Sequence, residues 1–198
     1  MHPHRNTHIV CRSLLAAVLT LTLSASTGAL AAGKHRGGHG HGEASGGHGH
    51  GGGTNIGTPG KTSDVSRTVR VMLTDNRFSP ENIKVKKGET VRFILENKGE
   101  FVHEFNIGTA KMHMAHQKEM MLMVEHGVLE PDKINYAQMK MDMGGGKTME
   151  HNDPNSKLLE PKKSNEIIWK FTSNATLEFA CNIPGHYESG MVGKISIH

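Results

Sequence analysis

From Arg67 onward, apolar and polar residues alternate in short runs, the pattern of strands that bury one face. Val69, Val71 and Leu73 alternate with Thr68, Arg70 and Met72; after a Lys87-Gly88 turn, Val91, Phe93 and Leu95 alternate with Thr90, Arg92 and Glu96. Ile167, Trp169 and Phe171 share one face, Leu177, Phe179 and Cys181 share another, and Ile195 and Ile197 run in phase with Gly193. Short strands separated by turn signals, with few helical patterns, predict an all-β antiparallel sandwich over residues 66–198. The alternation stops at 109–163, an insertion that holds nine of the chain's 12 methionines. Within it, Ala110 to His126 reads as a helix ended by Gly127, with His113, His116, Met120 and Met123 on one face. Met120 and Met123 are expected to fill gaps in a core.

The chain ahead of residue 66 has a different character. Residues 1–31 read as an export signal: Arg5 and Arg12 precede the apolar run Leu14 to Leu23, and Ala29-Leu30-Ala31 offers a cleavage site after Ala31. The run is about ten residues, against the roughly 20 that a membrane span needs. A periplasmic protein, monomeric and with no membrane span after cleavage, is therefore expected. Residues 32–65 form an arm rich in glycine and histidine, in which Gly-Gly-His-Gly-His-Gly occurs at 37–42 and again at 46–51. It carries 13 glycines between Gly33 and Gly60. Ordering it would cost much entropy with little apolar area in return, so disorder is expected.

Charge and cysteine count narrow the function. The chain has 23 Lys and Arg against 19 Asp and Glu; without Arg5 and Arg12 the balance is 21 − 19 = +2. No dense basic patch with interleaved aromatics is present, so nucleic acid is excluded as a partner. Export removes Cys11 and leaves Cys181 as a lone thiol, which can form no internal disulfide. In an oxidising compartment it must be buried or occupied by a metal.

The chemistry concentrates at Cys181-Asn-Ile-Pro-Gly-His186-Tyr-Glu-Ser-Gly-Met191, a thiolate, an imidazole and a thioether at five-residue intervals. Type 1 copper takes two His and one Cys with a weak axial Met, so a second histidine must come from elsewhere. His103 is the candidate, because in Phe101-Val-His-Glu-Phe-Asn-Ile107 it falls in phase with Phe101, Phe105 and Ile107 and so points inward. An inward imidazole without a partner costs roughly 1–3 kcal/mol. Further copper, weakly held, is expected at the histidines of the arm, His35, His39, His41, His48 and His50, and at the extended Met139, Met141 and Met143, whose thioethers suit Cu(I).

This loop, together with Phe78-Ser-Pro-Glu-Asn-Ile-Lys-Val-Lys-Lys-Gly-Glu-Thr-Val-Arg-Phe93, resembles the cupredoxins over residues 66–108 and 165–198. The Cys-x4-His-x4-Met spacing is similar to rusticyanin-like members, and the His- and Met-rich additions are similar to exported cupredoxins of bacterial copper tolerance. The resemblance implies a Greek-key β-sandwich with a partly helical insertion, one type 1 copper held by His103, Cys181, His186 and Met191, and a redox partner protein docking near His186. Glu104 departs from the pattern, since many members carry Asn there to tie the two ligand strands together. A multicopper oxidase would need His-Cys-His around its thiolate, yet Cys181 is flanked by Ala180 and Asn182. A dinuclear centre would need a second cysteine, and no nucleophile–base motif stands out. The expected function is copper tolerance through copper binding and one-electron Cu(I)/Cu(II) chemistry, not enzymatic turnover, with dedicated electron transfer as the alternative.

Overall fold

The computed structural model describes residues 55–198, so the export signal and the arm as far as residue 54 lie outside the described residues. In chain order the strands are β1 (Thr58–Pro59), β2 (Arg67–Thr74), β3 (Arg77–Ser79), β4 (Asn82–Val85), β5 (Thr90–Asn97) and β6 (His103–Gly108). A helix, α1 (Ala110–Glu125), follows, and then β7 (Lys140–Asp142), β8 (Thr148–Glu150), β9 (Ser156–Leu159), β10 (Ser164–Lys170), β11 (Leu177–Ala180) and β12 (Val192–Ile197). One sheet has the order β1-β10-β5-β2-β3 and the other β4-β12-β11-β6-β9, with β7 and β8 forming a separate hairpin. The predicted sandwich is present, although β2 with β5 and β12 with β4 pair in parallel. Period-two patterning fixes which face of a strand is buried and carries no information about direction.

Four phenylalanines join the two sheets. Phe78 and Phe93 come from the first sheet, Phe105 and Phe179 from the second, and all four are buried. Phe93 and Phe105 lie 5.5 Å apart, Phe105 and Phe179 5.3 Å, and Phe78 and Phe179 5.1 Å. Such ring pairs are worth about 0.5–1.5 kcal/mol each beyond their buried area. Gly193 of β12 lies against the Phe179 ring, which a β-carbon at that position would overlap. Gly193→Ala is therefore expected to lower stability by about 1–3 kcal/mol, measured as a fall in the urea midpoint at unchanged slope.

Residues 55–65, grouped with the arm on composition, lie along the first sheet. The Trp169 indole N–H donates to the Ile56 carbonyl at 2.9 Å, and the Gly60 amide donates to the Ile168 carbonyl at 2.9 Å. Gly57, at φ +115°, passes so close to Trp169 and Lys170 that no side chain would fit.

The insertion packs as a second core. Thr109 caps α1 by accepting the Met112 amide at 3.3 Å, and the helix buries His113, His116, Met120 and Met123, the face its spacing predicts. Met120 and Met123 join Val102, Val128, Leu129, Ile134 and Met141 in an apolar cluster. At its end the chain rejoins the second sheet as β9, paired with β6, so the last part of 109–163 belongs to the sandwich. Covered on both sides, β6 has all six residues buried.

Candidate metal centre

Strands β6 and β11 bring His103 and Cys181 to one end of the sandwich, and the loop after β11 folds back over them. The Cys181 amide donates to the Met191 carbonyl at 3.1 Å, the Met191 amide to the His186 carbonyl at 3.0 Å, and the His186 amide to the Ile183 carbonyl at 2.9 Å. This closure leaves His186 Nδ1 3.3 Å from Cys181 Sγ. One ligand atom from each of His103, Cys181 and His186 lies within 4.8 Å of the other two. His103, Cys181 and Met191 are fully buried, whereas His186 is half-buried. Phe101, expected inward with His103, is instead 47% exposed, because it precedes β6 and escapes the strand's alternation.

The chemistry of these atoms suits a metal. His103 Nε2 lies 3.0 Å from Asp75 Oδ1; a carboxylate only accepts, so Nε2 carries the proton and Nδ1 keeps its lone pair. That Nδ1 is buried and has no hydrogen-bond partner among the described residues. A carboxylate behind a histidine is the arrangement that orients ligating imidazoles. Burial pushes the His103 imidazole below its ordinary range in spite of Asp75, and burial with His103 nearby does the same for His186. Both rings are therefore neutral and able to donate electron pairs at neutral pH. Burial pushes the Cys181 thiol up to about 12, so the sulfur keeps its proton until a cation replaces it.

Glu104, the departure noted in the sequence, itself ties the two ligand strands. Its amide donates to Cys181 Sγ at 3.3 Å, and its Oε2 accepts from the Asn182 amide at 3.1 Å and from Asn182 Nδ2 at 2.8 Å. The opposite oxygen, Oε1, meets His116 Nε2 at 2.9 Å, the Ser156 hydroxyl and Asn106 Nδ2 at 3.3 Å. Burial works to raise this carboxyl, but His116, His151 and Ser156 hold it well below the usual carboxylate range. Conversely, Glu104 and Glu119 overcome burial and raise His116 to about 10.

Asp75, His116, His151 and Asn182 were not legible as parts of a site. Asp75 sits in the turn between β2 and β3 and has no periodic signal; the buried helix face was the one hint for His116. The Met139, Met141 and Met143 triple is split by burial. Met141 is buried in the second core, Met139 packs against it, and Met143 is 37% exposed.

A two-sheet sandwich in which a Cys-x4-His-x4-Met loop closes over an inward histidine is a cupredoxin. A family model described as a cupredoxin-like domain matches residues 54–114. The auracyanin B structure superposes with a TM-score of 0.52 at 16% identity, covering 72% of this chain and 96% of that one, which shows the shared fold. A copper-resistant cuproprotein CopI of Pseudomonas aeruginosa is 48% identical over 73% of this chain and 83% of its own length. One of the same description from Rubrivivax gelatinosus is 41% identical over 73% and 74%. The chain belongs to this family of copper-resistant cuproproteins.

Proposed function

We propose that this protein is a periplasmic copper-tolerance protein holding one type 1 copper by His103, Cys181, His186 and Met191. The observation that carries the reading is the clustering of a partnerless buried His103 Nδ1, a buried thiol and the His186 Nδ1 beside it. Copper bound there supplies one-electron chemistry, since thiolate and thioether suit Cu(I) and imidazole suits both oxidation states. Asp75 fixes the His103 ring, Glu104 holds the Cys181 strand and the loop after it, and the apolar packing around Cys181 and Met191 excludes water. The tolerance role rests on the description of the relatives, and the periplasmic location on the signal-like residues 1–31 and the lone cysteine left after their removal. No helix among the described residues is long and apolar enough to cross a membrane.

One feature favours the electron-carrier reading. An apolar groove of about 330 Å³, lined by Phe101, Val102, Leu129, Pro131, Ile183 and Pro184, opens beside His186 and suits docking of a redox partner. A single experiment separates the two. Loaded with one equivalent of copper, the wild-type chain is expected to show an intense thiolate-to-copper absorption that Cys181→Ser abolishes. The wild-type gene is expected to restore growth on copper to cells lacking the protein, and Cys181→Ser is not. Unchanged copper sensitivity, with a loss of electron supply to a periplasmic reductase, would identify the carrier instead.

A further inference from the structure

Behind the Cys181 centre, on the other side of β6, the insertion closes over a second set of metal-ligating groups. One ligand atom from each of Glu104, His116 and His151 lies within 4.8 Å of the others. The His116 and His151 side chains are 5% and 8% exposed and Glu104 is fully buried. The geometry points to a second metal site, formed by Glu104 Oε1, His116 Nε2 and His151 Nε2, that takes a divalent first-row cation, Cu(II) or Zn(II).

Spacing is the first argument. Bonds of about 2.0–2.1 Å to a tetrahedral ion put neighbouring ligand atoms roughly 3.4 Å apart. Here His116 Nε2 is 2.9 Å and His151 Nε2 3.5 Å from Glu104 Oε1. The Ser156 hydroxyl contacts the same oxygen and lies 3.3 Å from His151 Nε2, in place for a fourth position. A cation could enter with small side-chain adjustments.

What stands behind the histidines is the second argument. His116 Nδ1 lies 3.0 Å from Glu119 Oε2, and His151 Nδ1 lies 3.7 Å from Asp153 Oδ2. Each imidazole therefore has a carboxylate at one nitrogen and presents the other to the shared centre, the arrangement that sets tautomer and ring direction at metal sites. The pocket gathers three carboxylates around two imidazoles, a balance that favours a cation. An ion pair between Glu104 and His116 accounts for one histidine. It leaves His151, 5.0 Å away ring to ring, directed at the same oxygen from 3.5 Å.

The donor set selects the ion. Two imidazoles and a carboxylate, with no sulfur, suit Cu(II) and Zn(II) better than Cu(I), and copper outranks zinc at a given nitrogen and oxygen site. Glu104 also connects the two centres: Oε1 belongs to this pocket, Oε2 holds Asn182, and its amide donates to Cys181 Sγ.

The test uses the full chain carrying Cys181→Ser, which removes the thiolate of the first centre, with zinc as the probe. Its outcome is thus independent of the type 1 reading. After dialysis against Zn(II), this chain is expected to retain one equivalent more than the same chain with His151→Gln, and zinc is expected to raise its thermal midpoint further. Zinc on the histidine arm is common to both chains and cancels. Glu119→Gln, which leaves all three ligands in place, is expected to weaken binding about 10–100-fold, and the near-UV signal of Trp169 reports that each variant is folded. Equal zinc content with and without His151, or unchanged affinity in Glu119→Gln, overturns the proposal.

Discussion

Glu104→Ala is expected to destabilise the metal-free protein by about 3–5 kcal/mol, the cost of removing one member of a buried charged pair. The carboxylate is fully buried and faces His116 at 2.9 Å, so its removal leaves a buried charged imidazole with the partly exposed Glu119, 3.0 Å from its other nitrogen, as its remaining close carboxylate partner. The Asn182 amide and side chain lose their acceptor at the same time. Leaving buried donors unpaired costs more than the hydrogen bonds were worth. Glu104→Gln separates these contributions, since its amide oxygen can still accept from Asn182 while the charge is gone. It is expected to lose less than alanine. Urea unfolding of the three proteins at pH 6 checks the order, and a loss below about 1 kcal/mol in Glu104→Ala would show that His116 carries no charge there.

Stability of the metal-free chain is expected to fall as pH rises from about 6.5 to about 10, the ordinary and folded values for His116. The folded state binds the His116 proton more tightly than the unfolded chain does. The contribution is therefore complete below about 6.5, shrinks through the interval and is gone above about 10, with a slope of at most about 1.4 kcal/mol per pH unit. Glu104 reports the same interaction from its other end. Its carboxyl is held below the ordinary 4.5, so the contribution is present above that pH and is lost as acid protonates the group. The pair is thus most stabilising between about pH 4.5 and 6.5. His116→Gln can still donate a hydrogen bond to Glu104 but carries no titrating charge. Its urea midpoint is expected to vary less across pH 6.5–10 than that of the wild type; parallel curves would contradict the assignment.

Strands β2, β5, β10, β11 and β12 and three members of the proposed copper set were legible for the same reason: their information is local. Val91, Phe93 and Leu95 mark a buried face by alternation alone, and Cys181, His186 and Met191 lie within one loop whose spacing matches the donor chemistry. His103 could be added because it shares phase with Phe105 and Ile107. Strand direction was not legible, which is why the parallel pairing of β2 with β5 came from the structure. Residues 55–65 were hidden by their composition, since few apolar side chains mark a segment held largely by backbone contacts to Ile168 and Trp169. Met141 shows the opposite limit: its alternation with Met139 and Met143 is visible in the sequence, but its place in the second core is not.

By itself, the sequence determined the sandwich, the amphipathic helix of the insertion and the donor types at Cys181, His186 and Met191, because each depends on residues a few positions apart. Only tertiary structure set Asp75 behind His103 and placed Glu104, His116 and His151 in one pocket. Those contacts join β2–β3, β6, the helix and the chain before β9, segments that meet only once the sheets have paired and the insertion has buried its apolar face in the second core. No local pattern encodes which polar groups such a closure will enclose.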